Sequence, residues 1–584
     1  MIKRKPVVPL LKMKLWARLN ARSLSFATLS WLFLACSSRS YSLGYPDGSG
    51  GGSLGSSGSG ATANSNGLGG DQETGGSNAS GGSNANGGGN ASGGSGANGG
   101  SNANGGSNAS GGSNASGGSG ANGGSKTSTA GSNATGGGNT TAGGSSTTGG
   151  SSPAGDLEAL VVPSYSSTCA LSQQGVVKCW GRNDYGQLGL GDVATRGGMP
   201  GEMGANLQAV DLGTGRHATS IALGDSFGCA LLDDGSVKCW GRNNYGQLGQ
   251  GDTNNRGDEP GEMGDKLPAI DLGTGRTALS IAAESANVCA VLDDRSIKCW
   301  GWDGGGELGI GEENPYQDAE CRGDQPGEMG DNLERATLGT NLRAVGITAG
   351  SFHMCALFDS GAVKCWGTNG SLGQLGIGDQ EERGNWPPNL GDNLPAVDLG
   401  TGRTVKSVTA GVYHTCAILD DDSLKCWGAN VSGALGLGDT AERGGNPGEM
   451  GNNLPAVNLG TGRHATRVAL GDGYTCALLD NSTVKCWGDN ALGELGLGDT
   501  TARGGNPDDM GDHLPTVNFG TGRTVRAVTA SISGFDSCVQ LDDGTSKCWG
   551  DNEYAQLGEG TIDLGRGEQP GQMGDNLPIL SLGF

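Results

Sequence analysis

Positive charge, histidine and long apolar runs are what this chain of 584 residues has little of. Its 37 lysines and arginines are outnumbered by 60 aspartates and glutamates, a formal net charge of −23. Nucleic-acid affinity is built on cationic contacts, so this balance argues against a duplex or RNA partner. Only five histidines are present, too few for repeated zinc centres, and they do not converge along the chain. His217 and His464 follow Gly-Thr-Gly-Arg turns, His353 and His414 precede a cysteine by two, and His513 lies in a connection. The main apolar stretch, Ser23 to Ala35, is about 13 residues long against the ~20 needed to cross a bilayer. Helical periodicity and a strand-to-helix phosphate loop followed by Lys-Ser/Thr are both missing, and no run has the spaced acidic pattern of an EF-hand.

What is present divides into three parts. Residues 1 to 22 are basic, and the apolar stretch after them ends at Phe33-Leu34-Ala35-Cys36, which resembles the lipobox of bacterial lipoproteins. This resemblance implies a signal peptide over 1–35, a lipidated Cys36 and an exported protein, held at the outer membrane or cell surface or else secreted. Residues 36–154 are almost entirely Gly, Ser, Asn, Ala and Thr, in a loose six-residue pulse such as Gly75-Gly-Ser-Asn-Ala-Ser80. Such a segment has no apolar face with which to offset its ordering entropy and is expected to be a disordered linker.

Residues 155–584 are repetitive. First cysteines fall at Cys169, Cys229, Cys289, Cys355, Cys416, Cys476 and Cys538, at intervals of 60, 60, 66, 61, 60 and 62, and each has a second cysteine ten positions on. Cys229-Ala-Leu-Leu and Ser236-Val-Lys-Cys239 read as two strands around Asp233-Asp234-Gly235, a turn supplying glycine where a three-residue hairpin needs positive φ. Counting outward, Leu231 faces Val237 and Cys229 faces Cys239, close enough for a disulfide. The same register pairs Cys169 with Cys179, Cys289 with Cys299, Cys355 with Cys365, Cys416 with Cys426, Cys476 with Cys486 and Cys538 with Cys548. Cys321 is left over, either buried or a reactive thiol. Short strands with turn glycines at a period of about 61 describe a repeat of small antiparallel sheets.

The motifs Gly-x-x-x-x-Cys-Ala-Leu, Gly-x-Val-x-x-Trp-Gly-x-Asn and Gly-Gln-Leu-Gly-x-Gly-Asp resemble the repeats of the regulator of chromosome condensation superfamily. That resemblance, read together with the N-terminus, implies an exported bacterial lipoprotein-like member with an all-β, seven-bladed β-propeller over 155–584. Closing short sheets into a ring also removes exposed edges. The final segment, Leu577 to Gly583, is expected to complete the first blade. Trp180, Trp240, Trp300, Trp366, Trp427, Trp487 and Trp549, one per unit, are expected between blades.

With the recurrent positions consumed by the fold, binding residues are sought where the copies disagree. The candidates are Tyr245, Trp302, Tyr316, Cys321 and Trp386, the last in Asn385-Trp-Pro-Pro388. Function is read as an extracytoplasmic binding or display module that engages a protein or other macromolecule through one propeller face. The alternatives are a structural envelope protein without specific ligand and a propeller enzyme acting on an extracellular polymer. No catalytic residue, metal or cofactor is expected, nor a nucleic acid or a cytosolic GTPase as partner; the lipid anchor would sit in a membrane.

Overall fold

The computed structural model describes residues 159–311, 321–562 and 565–584; the expected signal peptide, linker and Cys36 lie outside them. Among the described residues the chain is all-β, with seven three-stranded antiparallel sheets linked by loops and short 3-10 turns. Strands in each sheet follow chain order. The first sheet comprises Ala159–Pro163, Ser167–Ser172 and Val177–Gly181, and the seventh Val525–Ala530, Asp536–Leu541 and Ser546–Gly550.

Local chemistry sets the hairpin between second and third strands. Gly235 sits at φ +79°, and where glycine is missing Arg295, Asp422 and Ser482 adopt the same left-handed conformation. Asp234, Asp294 and Asp421 accept from the backbone N–H and hydroxyl of Ser236, Ser296 and Ser423, which holds the turn closed. The register that follows places Leu231 opposite Val237 and Cys229 opposite Cys239. A disulfide joins the cysteine pair in each sheet, Cys169–Cys179, Cys229–Cys239, Cys289–Cys299, Cys355–Cys365, Cys416–Cys426, Cys476–Cys486 and Cys538–Cys548, with Cα atoms 4.1 Å apart.

A three-stranded sheet of this size cannot bury its own faces, and the core lies between sheets. Cys229, Cys239 and Val237 of the second sheet pack with Ile281, Ala283 and Trp300 of the third. A cluster of the same kind joins the seventh sheet to the first, where Cys538, Cys548 and Leu557 meet Ala159, Val161 and Trp180. The tryptophan after the second cysteine of each sheet is fully buried and, in the second to seventh sheets, donates its indole N–H to a backbone carbonyl of the preceding unit: Trp240 to Gln187, Trp300 to Gln247, Trp366 to Glu307, Trp427 to Gln374, Trp487 to Ala434 and Trp549 to Glu494. Trp180 of the first sheet donates to Gln556 of the last unit at 2.9 Å. Gly186 shows how tightly the units meet: at φ +76°, a Cβ there would lie 2.3 Å from the backbone nitrogen of Asp258 in the next unit.

The long connections are also built into the fold. Their Leu-Pro-Ala segments return along the third strand of their own sheet, as in Ile270 N–H to the Val237 carbonyl. A third-strand lysine bridges two of them, Lys238 Nζ donating to the carbonyl of Leu212 in the preceding unit's connection and to that of Gly264 in its own. The last segment obeys this rule and differs from the expectation that it completes the first sheet. Leu580 N–H bonds Ser546 of the seventh sheet, while Lys178 of the first holds the carbonyls of Leu582 and Gly583. It pairs with one sheet and is gripped by the other.

Candidate functional site

Among the described residues two departures from the repeat bear on function. The first is where the loops between first and second strands converge. Ser164 Oγ donates to the Gly224 carbonyl, Asp225 N–H to Ser285 and Asp472 N–H to Gly534, while Phe352 and Tyr413 stack with ring centroids 5.4 Å apart. Most of these loops are short, such as Gly224 to Ser226, but the seventh runs from Ser531 to Phe535. Those extra residues carry Ser533 to two carboxyls of other sheets, 2.5 Å from Asp225 Oδ1 and 2.7 Å from Glu284 Oε1. Glu284 is 4% exposed. Burial foremost, then the charge of Asp225, holds its carboxyl well above the usual range. Burial also raises Asp225, against the pull of Ser533 and of the Arg242 guanidinium.

Behind these loops lies a belt of buried polar residues at one repeat position. His353 Nε2 bonds Thr415 Oγ1 at 2.8 Å, His414 Nε2 bonds Thr475 Oγ1 at 3.0 Å, and the Tyr474 hydroxyl bonds Ser537 Oγ at 2.9 Å. Each reaches the following sheet. Burial pushes His353 down to about 3, with His414 a smaller cause, and pushes His414 down to about 4, so both rings are neutral and structural at ordinary pH. Asp536 takes the same position in the seventh sheet, fully buried, its carboxyl raised by burial and by Asp551. These residues give a polar interior but no nucleophile–base pair aimed into a cleft. Among the described residues no group of three or more His, Cys, Asp or Glu side chains is placed to hold a metal ion.

The second irregular place is on the surface. The residue before the connection proline is Glu259, Gln325, Asn446, Asn506 or Gln569 in five units, but Met199 and Trp386 in the first and fourth. Met199 is 66% exposed and Trp386 45%. The acidic residue of the Pro-Gly-Glu-Met tract is occupied in folding: Glu262 Oε2 accepts from the backbone N–H groups of Gly257 and Glu259.

The other candidate binding residues fall differently. Tyr245 is only 9% exposed and burial raises its phenol, so it offers little surface to a partner. Trp302 is partly buried, standing where Arg182 and Arg242 lie over the rings of Tyr554 and Tyr185, and its indole covers Gly304. Cys321 is 6% exposed and disulfide-bonded, which removes the reactive-thiol reading. Tyr316 lies outside the described residues. The Ser533 cluster escaped sequence reasoning, although the interval of 62 before Cys538 marks the longer loop that carries it.

Residues 164–187, 218–247, 344–374, 405–434 and 465–494 match one model of the regulator of chromosome condensation (RCC1) repeat, and residues 234–269 match a second. The chain is similar to the ultraviolet-B receptor UVR8 of Arabidopsis thaliana, 29% identical over 339 residues, covering 58% of this chain and 66% of the receptor. It is also similar to the E3 ubiquitin-protein ligase HERC2 of Homo sapiens, 29% identical over 265 residues, 45% of this chain but 5% of the ligase. It thus spans just under two thirds of the receptor and a small part of the ligase. Among solved structures, yeast RCC1 (Prp20) bound to Kap60 is similar with a TM-score of 0.49 and 18% identity, covering 70% of this chain and 84% of that one. Human WBSCR16 follows at 0.48 and 16%, covering 66% and 87%.

These findings correct the reading of an exported, bacterial lipoprotein-like chain with signal peptide, lipid anchor and membrane or cell-surface location. The proteins these repeats are similar to are a plant light receptor and a human ubiquitin ligase, not bacterial lipoproteins. Among the described residues no helix is long and apolar enough to cross a membrane. The expected partners, an extracytoplasmic protein or polymer and a lipid anchor, with nucleic acid and a cytosolic GTPase excluded, fall with that reading. Prp20p of Saccharomyces cerevisiae was studied for its binding to Gsp1p and histones.

Proposed function

We propose that residues 155–584 form a closed seven-bladed propeller that binds a protein partner through the exposed connections where its units differ. Closure is supported by the hydrogen bond from Trp180 to Gln556 and by the apolar cluster shared by the first and last sheets. Contact at one sheet edge of an open array would leave those groups without partners. The observation carrying the binding reading is the exposed Trp386, an aromatic residue at a position that is polar in five other units. A large apolar side chain on a rigid loop is the kind of anchor that dominates protein interfaces, and UVR8, to which the chain is similar, is by name a receptor. Met199 presents a second apolar side chain at the equivalent place, and Trp302 is the third residue assigned to the contact surface. The test is quantitative pull-down from the native cell with the full chain, wild type against Trp386→Ala and Met199→Gln. Because the side chains are exposed, both variants should match wild type in thermal midpoint while one or more wild-type partners drop at least tenfold. An unchanged partner set in both would remove this surface from the function.

A further inference from the structure

We propose that Ser533, Asp225 and Glu284 form a proton-dependent clasp that ties the loop of the seventh sheet to the second and third and opens when a shared proton is lost. The geometry requires that proton. Ser533 Oγ lies 2.5 Å from one carboxyl oxygen and 2.7 Å from another, yet a hydroxyl carries one hydrogen. It donates to one carboxylate; at hydrogen-bonding distance, the second contact needs a hydrogen of its own, or two sets of lone pairs would face each other in a buried site. That hydrogen belongs on Glu284. Both acids accept a hydrogen bond from Ser285, but Asp225 also has the Arg242 guanidinium to support its negative charge, whereas Glu284 is more deeply buried and faces Asp225. The arrangement is therefore Glu284 O–H to Ser533 Oγ, and Ser533 O–H to the Asp225 carboxylate, with one negative charge over both acids.

The surroundings add no cation beyond Arg242 to the causes acting on the pair. Asp472 of the sixth unit stands on the loop bonded to Gly534, itself raised to about 7 by burial and by Asp489. Asp536 begins the strand after the Ser533 loop and is buried with its carboxyl raised. Losing the Glu284 proton to solvent would leave two carboxylates sharing one hydrogen in an acidic neighbourhood. The Ser533 loop, joined to the sixth unit by Asp472 N–H to Gly534, is the movable partner because its extra residues reach beyond its own sheet.

Amide hydrogen exchange of the full chain, corrected for the intrinsic pH dependence of exchange, tests this directly. Protection of 531–535 should fall about tenfold or more from neutral to alkaline pH, while the strand His414–Leu419 stays unchanged. Glu284→Gln replaces the titrating O–H with an amide N–H that donates to Ser533 at every pH, so its protection should vary less than twofold over the same range. Ser533→Ala should show low protection already at neutral pH. A wild-type loop whose protection does not change with pH, or a Glu284→Gln loop that keeps the wild-type loss, would overturn the clasp. Glu284→Gln leaves packing nearly unchanged, so the proposal remains testable even where Ser533→Ala perturbs folding.

Discussion

Replacing Glu494 by glutamine should stabilise this protein at neutral pH and do almost nothing in acid. Glu494 occupies a position at which Gln187, Gln247, Gln374 and Gln556 stand in other units, and its backbone carbonyl accepts the Trp549 indole in the usual way. Its side chain accepts from Leu492 N–H at 2.8 Å, as Gln556 accepts from Tyr554 N–H at 2.8 Å. The difference lies in what the other end meets. Gln556 donates its amide to Asp551 Oδ2 at 3.2 Å, whereas Glu494 Oε1 is buried without a partner and faces the charge of Asp489, the counterpart of Asp551. Burial and then Asp489 push the Glu494 carboxyl up to about 8. A carboxyl raised in this way keeps its proton in the fold and loses it in the unfolded chain. Stability therefore falls as pH climbs from about 4.5 and levels off above about 8. At pH 7 the unfolded group is about 2.5 pH units past its midpoint, and at about 1.4 kcal/mol per unit the protonated fold gives up about 3 kcal/mol. Glu494→Gln removes that loss and supplies an N–H for Asp489. Chemical denaturation across pH 4 to 8 should show the variant more stable by about 3 kcal/mol at pH 7, the difference shrinking toward zero below pH 4.5. A gain that did not vary with pH, or a variant weaker than wild type at pH 7, would refute the reasoning. Glu307, also raised to about 8 by burial and then by Asp303, should respond in the same way. Because it lies in another unit, the double substitution should add nearly the two gains.

Two further outcomes follow from the same architecture. Substituting both Cys229 and Cys239 by alanine opens a short loop in the unfolded chain and should cost roughly 3 kcal/mol on the chain-entropy account, read as a lower denaturation midpoint, with neighbouring disulfides retained in non-reducing peptide maps. Trp180→Phe removes the indole bond to Gln556 and part of the packing between the first and last sheets, and should cost about 2 to 4 kcal/mol. Equilibrium denaturation should give a similar loss for Trp300→Phe, because both indoles serve the same contact; a negligible loss for Trp180→Phe alone would show that the first and last sheets do not depend on each other.

The seven units were legible because each is written in short-range spacing. The distance from Cys229 to Cys239 and the glycine between them determine a hairpin register, and alternation along a strand sends Trp240 to the face opposite the cysteines. The N-terminal resemblance misled, since a local motif of four residues says nothing about the relatives of the repeats that follow. Tyr245 and Cys321 were singled out because they are irregular in sequence, yet irregularity does not separate a side chain tucked under a loop from one facing solvent. Trp386 is irregular and exposed, and the distinction comes from its place before the connection proline.

By itself, then, the sequence determined an all-β repeat of disulfide-pinned hairpins with a buried tryptophan in each, because those features depend on neighbours within about a dozen residues. Only the tertiary structure decided that Ser533 meets Asp225 and Glu284, separated from it by 308 and 249 positions, and that Lys178 grips Leu582 across 404. Such contacts depend on how the sheets pack against one another in space, not on spacing within a unit. No spacing along the chain encodes which side chains will then share a buried proton.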